Sequence, residues 1–268
     1  MTSLAQPASG LFSCFGEACR FFLKARRVGL LSRSRPTLVR GFSLVEMMVV
    51  LAIIAILSSM LLLSIAGVKT SRELAKATYD IQGVLEQART LAMASNTYTW
   101  VGFFEETQGT PGVAGTGQLV ISVVSSVDGT KLYPTGTPPA QLPSASMTQV
   151  AKLLRIPNLH LDDFFDAPPA VLPTLPSVLV ATNEVGSSTF ATTTNFIYPL
   201  GATTPQYTFT RVIQFSPQGD ATRIGNYPAQ LTEISLRPSH GATIATTSTD
   251  IAAIQIAGIG GRVAVYRP

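Results

Sequence analysis

The 268-residue chain has two cysteines, two histidines and one tryptophan, and only 13% of it is charged. A soluble domain usually carries about 25% charge, so the deficit points to a membrane segment, a Ser/Thr-rich exported body, or both. Cys14 and Cys19 both precede Gly41. A C-x4-C pair with no second pair and no nearby histidine makes a poor metal site, and beyond Gly41 there is neither a disulfide nor a thiol nucleophile. The patterns G-x-S-x-G, H-E-x-x-H and G-x-x-x-x-G-K-[ST] are missing. No period of 20–50 residues recurs, which excludes a repeat architecture.

The net charge of +4 suggests a nucleic-acid binder until the charges are located. Arg20, Lys24, Arg26, Arg27, Arg33, Arg35 and Arg40 all precede Gly41, beside a single acid, Glu17. The remainder holds 12 basic and 14 acidic residues, a net of −2. The basicity therefore belongs to a leader, 1–41, and no nucleic-acid partner is expected for the body.

What is abundant is apolar sequence after that leader. The run from Leu44 to Val68 contains one ionisable group and no proline. At about 1.5 Å per residue, such a helix matches a bilayer core of roughly 30 Å. The basic leader before it and the weakly acidic body after it predict a cytoplasmic N-terminus. This is not an ordinary signal peptide, because the apolar run follows the basic stretch and the candidate cut site directly.

Glu46 is the exception within this run. A charged residue at the centre of a membrane helix costs roughly 2.5–3.5 kcal/mol on insertion scales and is a functional hypothesis by default. Glu46 stands four residues after Phe42, one helical turn away on the same face. A cut between Gly41 and Phe42 would create an α-amine about one turn from it. That amine can pair with its own Glu46 or with that of a neighbouring subunit, and either pairing offsets the burial cost. The other reading is a carboxylate near the interface that snorkels to headgroups.

Residues 40–57, R-G-F-S-L-V-E-M-M-V-V-L-A-I-I-A-I-L, resemble the prepilin cleavage and methylation motif of type IV pilins and type II secretion pseudopilins. The resemblance implies cleavage after Gly41 by a prepilin peptidase, N-methylation of Phe42, and a role for Glu46 in assembly. It implies an inner-membrane precursor with an extracytoplasmic C-terminal domain, filament partners of the same class, and no cofactor. A leader that runs from Met1 to Gly41 is long for that family.

Beyond the anchor, residues 69–95 lack proline and place Leu74, Ala77, Ile81, Leu85, Ala88 and Leu91 at three- and four-residue spacing. Lys69/Glu73 and Lys76/Asp80 supply opposite charges four apart on a solvated flank. Asn96 is a candidate stop. One helix over 42–95 is predicted, with its membrane half at 44–68 and its second half offering an apolar stripe to a β-rich domain over 97–268. The fold class is α+β, a long N-terminal helix packed on an antiparallel β-rich body.

Strands are expected at 97–104 and 118–127, joined through a Gly-rich loop at 105–117. The stretches 131–147 and 166–177 hold four prolines each and read as loops. Residues 150–161 read as a short helix or as a strand broken at Pro157, with strand preferred. Weak strands follow at 177–182 and 196–200. Residues 207–224 form a stronger segment, with Phe209, Ile213 and Phe215 on one alternating face. Closing strands are expected at 231–238, 251–258 and 261–268.

ARTLAMASN before the first strand, the segment I-Q-F-S-P-Q-G at 213–219 and the late G-R-V-x-V strand resemble the H-type (GspH/FimT-like) minor pseudopilins. The long Pro-rich insertions depart from a compact member of that group and suggest instead a resemblance to the Verru_Chthon cassette proteins, which carry a similar N-terminus. Physically, Ser216-Pro217-Gln218-Gly219 is a turn in which Pro217 fixes φ and Gly219 permits a positive one.

Candidate catalytic or metal residues are few. His160 and Asp162 share a strand face, but no further ligand is spaced locally. His160-Leu161-Asp162-Asp163, Glu105-Glu106 and Ser239-His240-Gly241 read as solvated turns or loops. Gly258-Ile259-Gly260-Gly261 opens no helix and is no phosphate cradle. The expected function is structural and non-enzymatic: a minor pilin or pseudopilin. An uncut single-pass anchor presenting a β-rich binding module is the alternative.

Overall fold

The computed structural model describes residues 41–133, 139–165, 181–192, 194–225 and 227–268, with the backbone alone for residues 60–69. Most of the leader, including Cys14 and Cys19, and the Pro-rich stretch 166–177 lie outside the described residues, as does the 177–180 part of the weak strand expected there. The chain divides into two units, residues 1–53 and 54–268.

In the first unit the described residues begin the helix α1 (Leu44–Ala94). Ser43 is its N-cap residue, its carbonyl accepting the Met47 N–H at 3.1 Å. Phe42, Leu44, Val45, Met47 and Met48 are all exposed. Among the described residues no helix is long and apolar enough to cross a membrane. The anchor expected over 44–68 runs into residues 60–69, whose side chains lie outside that set.

The second unit holds the rest of α1 and twelve described strands. They are β1 (Thr99–Thr107), β2 (Gly117–Ser126), β3 (Met147–Gln149), β4 (Leu154–Asp162), β5 (Phe196–Tyr198) and β6 (Tyr207–Phe209), then β7 (Arg211–Phe215), β8 (Ala221–Arg223), β9 (Leu231–His240), β10 (Thr243–Ile244), β11 (Ala252–Ala257) and β12 (Val263–Tyr266). The main sheet runs β12-β11-β9-β4-β2-β1-β7-β8, with β3 beside β2 and β10 beside β9. Each of these pairings is antiparallel. Strands β5 and β6 form a separate ribbon. A helix packed on a large antiparallel sheet is the α+β, pilin-like arrangement expected.

The helix meets the sheet through Leu74, Ala77, Ile81, Leu85, Ala88 and Ala92, all buried against Val101, Phe103, Leu119, Ile121, Ile213, Phe215, Ile234 and Ile254. Full burial of one Leu or Ile stabilises by about 1.5–3 kcal/mol, so this stripe fixes the helix. Its last member is Ala92, not Leu91, which is half-buried. After Ala88 the stripe continues at a four-residue step, and Leu91 falls to its flank. The helix ends where Asn96 takes a left-handed φ of 49°, and Thr97 N–H closes back on the Ala92 carbonyl at 3.0 Å. This six-to-one closure is the Schellman motif, with asparagine in the usual glycine position.

Alternation along the strands directs the other side chains to a second core. Trp100, Val120, Val124 and Val212 pack there with Phe196, Tyr207 and Phe209 of the ribbon and with Tyr133, Leu142 and Met147. Gly102 makes this possible: a Cβ there would lie 2.6 Å from Phe196 Cζ and 2.7 Å from Phe209 Cβ.

Three expectations need correction. Phe209 does not share a face with Ile213 and Phe215: the strand breaks at Thr210, whose carbonyl is taken by Thr192 N–H. Phe209 therefore joins the ribbon and the second core, while Ile213 and Phe215 line the helix side. Residues 181–183 form a 3-10 turn instead of the end of a strand. Strand β4 is not broken at Pro157, which sits opposite Gln118. The register shift between Gly117 and Gln118 and the left-handed Asn158, φ 58°, accommodate it, as bulges accommodate proline in sheets.

Candidate functional site

The N-terminal site is built by the start of α1. Ser43 at N-cap and Glu46 in the third helical position have the S-x-x-E spacing of a capping box. That signal lies in the sequence and was open to reading there. Aligned peptide dipoles leave partial positive charge at a helix N-terminus, and a carboxylate in the first turn is favoured there. Glu46 is exposed and is the acid of that first turn. Gly41 and Phe42 precede the helix outside any regular element and are exposed, and Gly41 has no neighbour within 4 Å of a Cβ position. A processing enzyme needs such an unencumbered peptide bond. The geometry thus gathers Gly41, Phe42 and Glu46 at and just before one helix start.

The remaining candidates lie in the body and are held in structural networks. His160 is on β4, not in a turn, with Nδ1 2.6 Å from Glu105 Oε1. Asp162 pairs through Oδ2 with Arg237 Nε. Glu106 is the clearest departure from a solvated turn, being 1% exposed within β1. Its Oε2 accepts from Gly112 N–H and from Tyr207 Oη–H, each at 2.9 Å, while Arg155 Nη2 donates to Tyr207 Oη at 2.9 Å. Arg155 Nε stands 3.7 Å from Glu106 Oε1. This network ties the β1–β2 loop to the ribbon. His240 is exposed at the end of β9, before the tight turn into β10. Gly258–Gly261 is the β11–β12 turn, where Gly260 N–H donates to Asp220 Oδ1 at 2.8 Å.

Two buried carboxyls escaped sequence reading altogether. Glu184 and Glu233 are 0% and 1% exposed and face one another across a parallel bridge. Glu184 lies in the polar run ATNEVGSS, which carries no periodic signal of burial. Among the described residues no group of three or more His, Cys, Asp or Glu side chains is placed to hold a metal ion.

A family model, the prokaryotic N-terminal methylation motif, matches residues 37–62. The match covers Gly41, Phe42 and Glu46 and ends within α1. The match is to a prepilin-type N-terminus, the motif that type IV pilin and pseudopilin proteins carry. The motif implies processing by a prepilin peptidase and a precursor anchored in the inner membrane through its N-terminal segment. No curated protein and no solved structure matches the chain.

Proposed function

We propose that the chain is a minor pilin or pseudopilin, a structural subunit of a type IV pilus or type II secretion filament. A prepilin peptidase cuts between Gly41 and Phe42, Phe42 is N-methylated, and the subunit assembles through its N-terminal helix. The observation that supports this most is the position of Glu46: one turn after Phe42, in the first turn of an exposed apolar helix, inside the matched motif.

The physical sequence is short. Cleavage removes the basic leader, leaves residues 42–268 with a net charge of −2, and exposes a cationic amine at Phe42. Before assembly the helix holds the subunit in the inner membrane with the body extracytoplasmic. In the filament the apolar side chains of residues 42–57 pack against sister helices, and Glu46 meets an N-terminal amine. Charge pairing in low dielectric penalises every register that leaves the acid unpaired, so it sets subunit stagger.

Mass spectrometry of the mature protein tests the processing step. The expected N-terminus is a methylated Phe42. Recovery of a membrane form retaining Cys14 and Cys19 would instead support an uncut anchor presenting a β-rich binding module.

A further inference from the structure

Residues 181–192 run between β9 and β8 of the main sheet and are fastened at both ends. At the far end Arg223 donates to the carbonyls of Thr189, Phe190 and Ala191. Between the ends, Arg211 Nη2 donates to the Gly186 carbonyl at 3.2 Å. At the near end the fastening is of another kind: Glu184 bridges to Glu233 of β9, and Val185 N–H donates to the Glu233 carbonyl at 2.8 Å.

Two carboxyls side by side, both sealed from solvent, cannot both be ionised cheaply. Their surroundings divide the roles. Glu233 receives donors on both oxygens, from Ser235 Oγ and from Gln255 Nε2. Neither Glu184 oxygen completes a hydrogen bond among the described residues. The groups facing the pair are Ser235 of β9, Gln255 of β11 and Asp163 just after β4. The nearby cations are otherwise engaged, Arg237 with Asp162 and Arg211 with Gly186.

We propose that Glu184 is a neutral, protonated acid in the folded body, and that its neutrality lets the 183–187 stretch stay closed on β9 as a pH-sensitive clasp. Deprotonation puts a second charge beside Glu233, and the stretch opens to let water reach it. Burial, then the Glu233 charge, pushes the Glu184 acid up to about 9 from its usual 4.5. The sign follows from linkage. A raised folded value makes the closed clasp strongest below about pH 4.5 and progressively weaker up to about pH 9. Arg223 holds residues 189–191 throughout, so opening stays local.

Native-state hydrogen exchange on the detergent-solubilised full chain reads this directly. After correction for intrinsic exchange, protection of the Val185 amide should fall by up to about tenfold per pH unit between roughly pH 5 and pH 8, the slope of one released proton. The Thr192 amide, which donates to the Thr210 carbonyl outside that stretch, should not follow. Glu184→Gln, which mimics the neutral acid, should remove the slope while keeping Val185 protected. Equal slopes in both proteins, or no slope in the parent, would overturn the clasp. Infrared spectroscopy of the parent chain decides the matter even if the variant fails to fold. A protonated-carboxyl carbonyl band should be present at pH 7 and disappear together with Val185 protection at alkaline pH. Absence of that band, or its loss on adding calcium at pH 7, would show that the pair is ionised or holds a cation instead.

Discussion

Trp100 donates its indole N–H to Gln214 Oε1 at 3.1 Å, and the two residues stand directly opposite one another in the β1–β7 register. The same oxygen accepts Tyr133 Oη–H at 2.6 Å. One amide carbonyl therefore satisfies two large aromatic donors inside the second core, joining a main-sheet strand to the loop that follows β2.

Replacing that acceptor should be costly. Gln214→Leu keeps the volume but strands both donors, and each buried unsatisfied group costs about 1–3 kcal/mol. The expected loss is about 2–4 kcal/mol, since Tyr133 also accepts Gly225 N–H and keeps one partner. Urea denaturation followed by circular dichroism measures it, and a transition midpoint that stays at the parental value would deny the pair its role.

Glu46 has two possible duties, and two substitutions separate them. Glutamine can serve in a capping box as glutamate does, but it carries no charge for an amine. Glu46→Gln should leave processing at Gly41–Phe42 intact and block incorporation into filaments, as should Glu46→Ala. Normal incorporation of the glutamine variant would mean that the residue acts only as a helix cap.

Gly102→Ala tests the close approach of the ribbon. The new methyl would meet Phe196 Cζ and Phe209 Cβ well inside contact distance. Overpacking of this kind costs about 1–3 kcal/mol. Limited proteolysis should then cut within 194–210 before the β1–β2 hairpin is attacked. A parental digestion pattern would show that the ribbon yields without detaching.

Global stability should decline as pH rises. The folded values of Glu184 and Glu233 both stand above the ordinary glutamate range, chiefly through burial. For Glu184 the contribution is complete below about pH 4.5 and lost on the way to about 9. One proton corresponds to a slope of up to about 1.4 kcal/mol per pH unit. Thermal melts from pH 5 to pH 8 should show a falling Tm, flattened in Glu184→Gln.

Much of this architecture could be read from local pattern. The helical period exposed the stripe from Leu74 to Ala88, and Asn96 marked its end. Aromatic and β-branched composition located β1 and β2, and closing strands were expected where β9 and β11 lie. Glu46 was legible because its partners in the motif are neighbours in sequence. Glu106 was not, because its acceptor role depends on Tyr207, 101 positions away, and on Arg155. Thr210 was equally opaque: an uninterrupted β-branched and aromatic run gave no hint that the chain changes sheets there.

Trp100 is the sole tryptophan of the chain, and it lies in the core opposite the helix. Indole emission therefore registers events in the ribbon layer and is nearly silent to slippage of α1 on the other face. A fluorescence trace and a helix signal that diverge on heating would resolve the two faces of the sheet as separately melting bodies, with no label added.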